Sequence, residues 1–148
     1  MKVLFCVWVV SVLPAAAGNQ VLLRNLAPAD GAASVLAADN AGHRFVMSSV
    51  LAGSGLVVRI VKLDLDGARL ASIDLPQAIG IESAVTDTQG NLIVAGSDRS
   101  LQGIICKLDP QLQGVLFSKA LPGSVHAIAL DSSGNIYATG STSSAAFR

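Results

Sequence analysis

Few residues of this chain have the types and spacing that chemistry requires. Asp64-Leu65-Asp66-Gly67 sets two carboxylates one residue apart before a glycine, the opening of a calcium loop. It lacks the third ligand position and the distal glutamate of an EF-hand, and its counterpart Asp109-Pro110-Gln111-Leu112-Gln113-Gly114 keeps only the first carboxylate. The stretch therefore reads as a turn between the third and fourth strands and no metal site is expected, with Asp64 and Asp66 as the calcium candidates set against that reading. His126 stands near Asp131 among several serines, the raw material of nucleophilic catalysis, but no Gly-x-Ser-x-Gly elbow presents a serine. His43 and His126 each lack an orienting partner in the sequence and read as structural. No residue is assigned to catalysis and no cofactor is expected.

What does recur is a turn cassette. Asp39-Asn40-Ala41-Gly42-His43, Asp87-Thr88-Gln89-Gly90-Asn91 and Asp131-Ser132-Ser133-Gly134-Asn135 follow one another at intervals of 48 and 44 residues. Each lies between two short apolar runs and so reads as a hairpin turn. An aspartate at the first position can accept backbone N–H bonds inside the turn, and a glycine at the fourth can take the left-handed conformation that a bulged hairpin turn demands. The structural turn residues are thus Asp39 and Gly42, Asp87, Gly90 and Asn91, and Asp131, Gly134 and Asn135. Val61-Lys62-Leu63-Asp64 and Cys106-Lys107-Leu108-Asp109 mark a third strand, and Arg69 to Leu75 and Val115 to Leu121 a fourth. Four short strands in a repeat of this length make one propeller blade. Runs such as Leu92-Ile93-Val94-Ala95 suit sheets covered on both faces, with Phe45 and Tyr137 as aromatic residues packed between them.

The third cassette carries a resemblance. Ala129-Leu130-Asp131-Ser132-Ser133-Gly134-Asn135-Ile136-Tyr137-Ala138-Thr139-Gly140-Ser141-Thr142-Ser143-Ser144-Ala145-Ala146-Phe147 closely resembles the bacterial SBBP family of β-propeller repeats, with its Asp-x-x-Gly-Asn-x-Tyr turn, Thr-Gly-x-Thr-x-Ser segment and following Phe. The second copy departs at Ile93 and at Asp98-Arg99-Ser100, and the first keeps only the Asp, the Gly and the apolar pattern. The resemblance implies a secreted or surface propeller, commonly part of a much larger protein, and supplies no general catalytic residues.

The N-terminus reads as an export leader. Lys2 precedes the apolar run Val3 to Leu13, too short to span a membrane, and Ala15 and Ala17 satisfy a cleavage rule that places the cut after Ala17. Removing residues 1–17 takes Cys6 and leaves Cys106 as the single cysteine, so no disulfide framework is expected and Cys106 reads as a small strand residue. The chain has 10 basic and 10 acidic residues, and loss of Lys2 leaves a net charge of −1. Neither nucleic acid nor an anionic membrane surface is an expected partner, and no stable membrane anchor is expected.

The expected organisation is a signal-peptide helix over 1–17, a lead-in segment at 18–34 and a partial all-β propeller at 35–148, with four-stranded antiparallel blades near 35–80, 81–124 and 125–148. A closed propeller takes about four to eight blades. The sequence therefore reads as part of a longer chain, or as one of several chains that complete a ring. The functional expectation is a noncatalytic binding or scaffold module with an extracellular protein or glycan ligand. The alternative is the N-terminal part of a secreted propeller enzyme, a lyase, hydrolase or quinoprotein-like protein whose catalytic groups lie in other blades.

Overall fold

The computed structural model describes residues 8–12, 21–25, 33–53 and 55–144, with side-chain surroundings from Ala37 onward. Among the described residues every regular element is a strand: β1 (Trp8–Val12), β2 (Val21–Asn25), β3 (Ala33–Ala38), β4 (Arg44–Ala52), β5 (Gly55–Leu63), β6 (Arg69–Leu75), β7 (Ala78–Thr86), β8 (Leu92–Asp98), β9 (Gly103–Leu108), β10 (Val115–Leu121), β11 (Ser124–Leu130) and β12 (Ile136–Ser141). Strands β3 to β6 form one antiparallel meander, β7 to β10 a second, and β11 pairs with β12 in a third sheet. The two four-stranded sheets and the hairpin are partial propeller blades. The fourth strands run from Arg69 to Leu75 and from Val115 to Leu121, as the sequence pattern implies.

Of the segment expected as a signal-peptide helix, residues 1–7 and 13–17 lie outside the described residues. Trp8–Val12 is strand β1, paired antiparallel with β2 from Trp8 opposite Asn25 to Val12 opposite Val21. Trp8, Val9, Val10 and Val12 are aromatic or β-branched and favour an extended backbone. A leader takes a helix in apolar surroundings, where each backbone group must be paired within the segment. Lys2, Cys6 and the cleavage stretch Ala15-Ala16-Ala17 lie outside the described residues.

The sheets stack face to face, with the second in the middle. Phe45, Met47 and Ile60 of the first sheet share a core with Leu92, Val94 and Cys106 of the second. The opposite face of the second sheet contributes Ile93, Ala95 and Ile105, which pack with Val125 and Ile128 of β11. Consecutive residues of β8 thus serve two different interfaces, which explains why Leu92-Ile93-Val94-Ala95 shows no polar alternation. Each such buried Leu, Ile or Val side chain contributes about 1.5–3 kcal/mol of burial free energy. Packing between sheets runs through the first strands: β7 lies against β3 on one side and β11 on the other. Cys106 is buried, with its Sγ 3.4 Å from Ser118 Oγ, and belongs to this packing.

Each first strand is bulged against its neighbour. The extra residue falls between Ala33 and Val35 opposite Ser48 and Met47, between Ile81 and Ser83 opposite Gly96 and Ala95, and between Val125 and Ala127 opposite Gly140 and Thr139. A methyl group on Gly96 would run into the carbonyl oxygen of Gly80, and one on Gly140 into that of Ser124. The glycine of the Thr-Gly segment is therefore required by close backbone approach at the bulge.

Gly96→Ala is expected to destabilise the protein by about 2 kcal/mol through forced backbone displacement, read by urea denaturation. Leu101 and Leu112 occupy left-handed backbone at φ 60° and 57°, a conformation that costs a non-glycine residue about 1–2 kcal/mol. Leu101 is 71% exposed and Leu112 only 4%. Leu101→Gly is therefore expected to raise the unfolding midpoint slightly, and Leu112→Gly to lower stability by about 2 kcal/mol because it empties a buried site.

Candidate functional site

Among the described residues six turns are built on an aspartate. In five of them Oδ1 accepts two backbone N–H bonds. Asp39 takes those of Ala41 and His43, Asp64 those of Asp66 and Ala68, Asp87 those of Gln89 and Asn91, Asp98 those of Ser100 and Gln102, and Asp131 those of Ser133 and Asn135. All ten bonds span 2.7–3.0 Å. The sixth turn is one residue longer, and Asp109 there accepts from Gln111 and Gly114. Backbone bonds reinforce each turn, as from the Asp87 N–H to Asn91 O and from the Gly90 N–H to Asp87 O. The fourth position is left-handed in Gly42, Gly67, Gly90 and Gly134, and is filled by Leu101 in the Asp98 turn. Leucine at the fourth position hides the Asp98 turn from a search for Asp-x-x-Gly, whereas the Asp64 and Asp109 turns fall where the sequence places the turn between third and fourth strands.

The turns that join the first and second strands use the other carboxylate oxygen as well. Asp39 Oδ2 lies 2.8 Å from His43 Nδ1 and 3.2 Å from Lys62 Nζ. Asp87 Oδ2 accepts from Asn91 Nδ2 at 2.8 Å and from Lys107 Nζ at 2.9 Å. Both lysines come from the third strand of the same sheet, where Lys62 pairs with Phe45 and Lys107 with Ile93. Lys62 crosses the Phe45 ring with its Nζ 5.0 Å from the centroid, and also donates to Pro110 O of the second sheet at 2.8 Å. Asp131 Oδ2 accepts instead from Asn135 Nδ2 at 2.7 Å and from the Tyr137 hydroxyl at 3.1 Å. Tyr137, expected to pack between sheets, is 59% exposed, whereas Phe45 is fully buried.

These bonds set the acidity. Burial alone would raise Asp39 and Asp87, but His43 and Lys62 in one turn, and Asn91 and Lys107 in the other, outweigh it and hold both carboxyls below the usual range. The Asn135 side chain and backbone do the same for Asp131. Such groups stay ionised near neutral pH and are poor general acids or bases. Asp64 spends Oδ1 on its own turn, and among the described residues no three His, Cys, Asp or Glu side chains gather as metal ligands. His126 does not meet Asp131: its Nε2 lies 3.1 Å from Ser124 Oγ, which in turn lies 2.7 Å from Ser141 Oγ.

Two clefts open beside the hairpin β11–β12. One, of about 480 Å³, is polar and lined by Thr86, Asp87, Lys107, Asp131, Ser132 and Ser133. The other, of about 390 Å³, is mainly apolar and lined by Ile105, Leu121, Val125, Ile136, Ala138 and Thr139 among others.

A carboxylate whose pKa falls on folding lends stability that is complete above its unfolded value and is lost as the pH drops through its folded value. Asp39, Asp74, Asp87, Asp109 and Asp131 are all lowered, Asp74 by its bonds from Arg59. The thermal midpoint is therefore expected to be level between pH 7 and about 5 and to fall below about pH 4. Scanning calorimetry across this range checks it, and a midpoint that rises on acidification contradicts it.

Residues 124–148 match the family model of the SBBP beta-propeller repeat. The match begins at the first residue of β11 and covers the Asp131 turn, β12 and the Gly140 position. No curated protein matches the chain. With its meandering four-stranded sheets, its aspartate turns and this match, the chain is a β-propeller repeat protein that carries an SBBP repeat at residues 124–148.

Proposed function

We propose that this protein is exported and serves as a noncatalytic binding or scaffold module, its sheets forming part of a ring that further sheets of the same kind complete. The observation that carries the reading is the employment of the recurring carboxylates. Each is engaged by backbone donors of its own turn, and Asp39 and Asp87 hold a lysine besides. The residues that recur are thus the ones that build the sheet. Export rests on Lys2, the apolar run to Leu13 and Ala15-Ala16-Ala17. Among the described residues no helix is long and apolar enough to cross a membrane. The ligand class is an extracellular protein or glycan, held on loops contributed by several sheets.

Expression in a bacterial host followed by fractionation and intact-mass measurement tests export: the exported product is expected to begin at Gly18, and a product that keeps Met1 inside the cell contradicts it. A fluorophosphonate probe tests the noncatalytic reading at the hydrogen-bonded Ser124–His126 pair. No labelling above that of denatured protein is expected. Stoichiometric labelling of Ser124 that disappears in His126→Ala would make the protein an enzyme.

A further inference from the structure

The bulges of the first strands present two reactive side chains that neither the turns nor the cores employ. The extra residue is Ser34 in β3, Glu82 in β7 and His126 in β11, the same position of three successive sheets. A bulge takes its extra residue out of the alternation of the strand and re-aims the side chain. Glu82 and His126 are accordingly exposed, whereas the residues before them, Ile81 and Val125, are only 5% and 4% exposed and belong to the two cores. Strands β7 and β11 lie against one another, joined where Ser83 Oγ accepts the Ile128 N–H at 3.2 Å. Glu82 directly precedes Ser83, and His126 stands two residues before Ile128. The carboxylate and the imidazole are thus brought to neighbouring places on the exposed edge that the first strands form.

Neither group is spent on holding the fold. Glu82 takes part in no ion pair among the described residues. A methyl group on Gly80, two residues before it, would meet nothing within 4 Å, so open room lies beside the carboxylate. The imidazole, in contrast, is steadied from one side: His126 Nε2 lies 3.1 Å from Ser124 Oγ, which lies 2.7 Å from Ser141 Oγ on β12. With Nε2 donating to Ser124, Nδ1 keeps its lone pair. A histidine that binds a metal is held in this way, one ring nitrogen on a hydrogen-bond partner and the other on the ion. Imidazole and carboxylate together suit zinc and copper, whereas calcium takes oxygen donors.

We propose that Glu82 and His126 bind a divalent transition-metal ion, Zn²⁺ or Cu²⁺, between the second and third sheets, through the Glu82 carboxylate and His126 Nδ1, with Ser124 as a positioning residue. The pair falls short of the three protein ligands of a catalytic zinc centre, and no third His, Cys, Asp or Glu gathers with it among the described residues. Water fills the remaining positions, so the ion is held openly and exchanges. The site differs from Asp64-Leu65-Asp66-Gly67, where Asp64 Oδ1 is engaged by its own turn, in that its donors are unspent. The inference stands apart from export and from the ligand on the loops, and goes beyond both.

Calorimetric titration of Zn²⁺ and of Cu²⁺ into the full chain at neutral pH tests it. One saturable site per chain is expected, with Cu²⁺ the tighter ion and a thermal midpoint that rises with metal concentration. Glu82→Gln and His126→Gln are each expected to abolish the site while keeping the metal-free midpoint of the native protein, since both side chains are exposed. Ser124→Ala is expected to weaken binding about tenfold. Nitrogen NMR of the imidazoles separates positioning from mere structure: Zn²⁺ is expected to shift His126 Nδ1, and Ser124→Ala to remove the preference for a proton on Nε2. His43→Gln is expected to bind as the native protein does. Absence of saturable binding by either ion, undiminished binding in Glu82→Gln or His126→Gln, or a site lost in His43→Gln overturns the proposal.

Discussion

The structure depends on an aspartate that serves three strands at once. Within the Asp39 and Asp87 turns one carboxylate oxygen holds two backbone N–H groups of the hairpin, and the other receives a lysine from the third strand. A hairpin turn alone fixes the register of two strands. The lysine extends that constraint to the third, because its reach is satisfied only when it stands opposite Phe45 or Ile93. Neutral hydrogen bonds would fasten the turn, but a charged acceptor makes each of these bonds stronger and rewards the lysine for leaving water. Such a device adds to the cohesion that packing and strand pairing supply.

Stacking the sheets imposes a second demand, that their first strands come close together. The bulges in β3, β7 and β11 turn those strands, and the absence of a side chain at Gly96 and Gly140 lets the neighbouring backbone approach. Polar groups join the sheets at the same places: the Thr86 hydroxyl donates to Ala38 O at 2.8 Å, and Ser83 Oγ accepts from the Ile128 N–H at 3.2 Å. At the far ends of the second and third strands, Arg99 holds Leu56 O of the first sheet and Pro76 O of the connection between β6 and β7. The faces are therefore apolar in the middle and hydrogen-bonded at both ends, an arrangement that fixes how one sheet sits on the next.

Much of this was legible because the signals were local. The cassettes at Asp39, Asp87 and Asp131 are hairpin turns, and the strand run on both sides of each follows from apolar patterning. The lysines of Val61-Lys62-Leu63 and Cys106-Lys107-Leu108 were visible as a repeat, but their role was not, since it depends on a contact back across two strands. The bulges were hidden for the same reason: an extra residue shows only against the partner strand. Leu101 concealed the Asp98 turn because tertiary context holds leucine in a conformation that local propensity assigns to glycine.

The central claim is that the third-strand lysine and the turn aspartate form one charge-assisted unit in each complete sheet. Carbon-detected NMR titration of the aspartate carboxyls, in the native protein and in Lys107→Met, measures this directly. The account predicts that Asp87 titrates below the usual carboxylate range, moves upward in Lys107→Met, and leaves Asp131 where it was. An Asp87 titration unchanged by the loss of Lys107, or an Asp131 that shifts with it, would contradict the account.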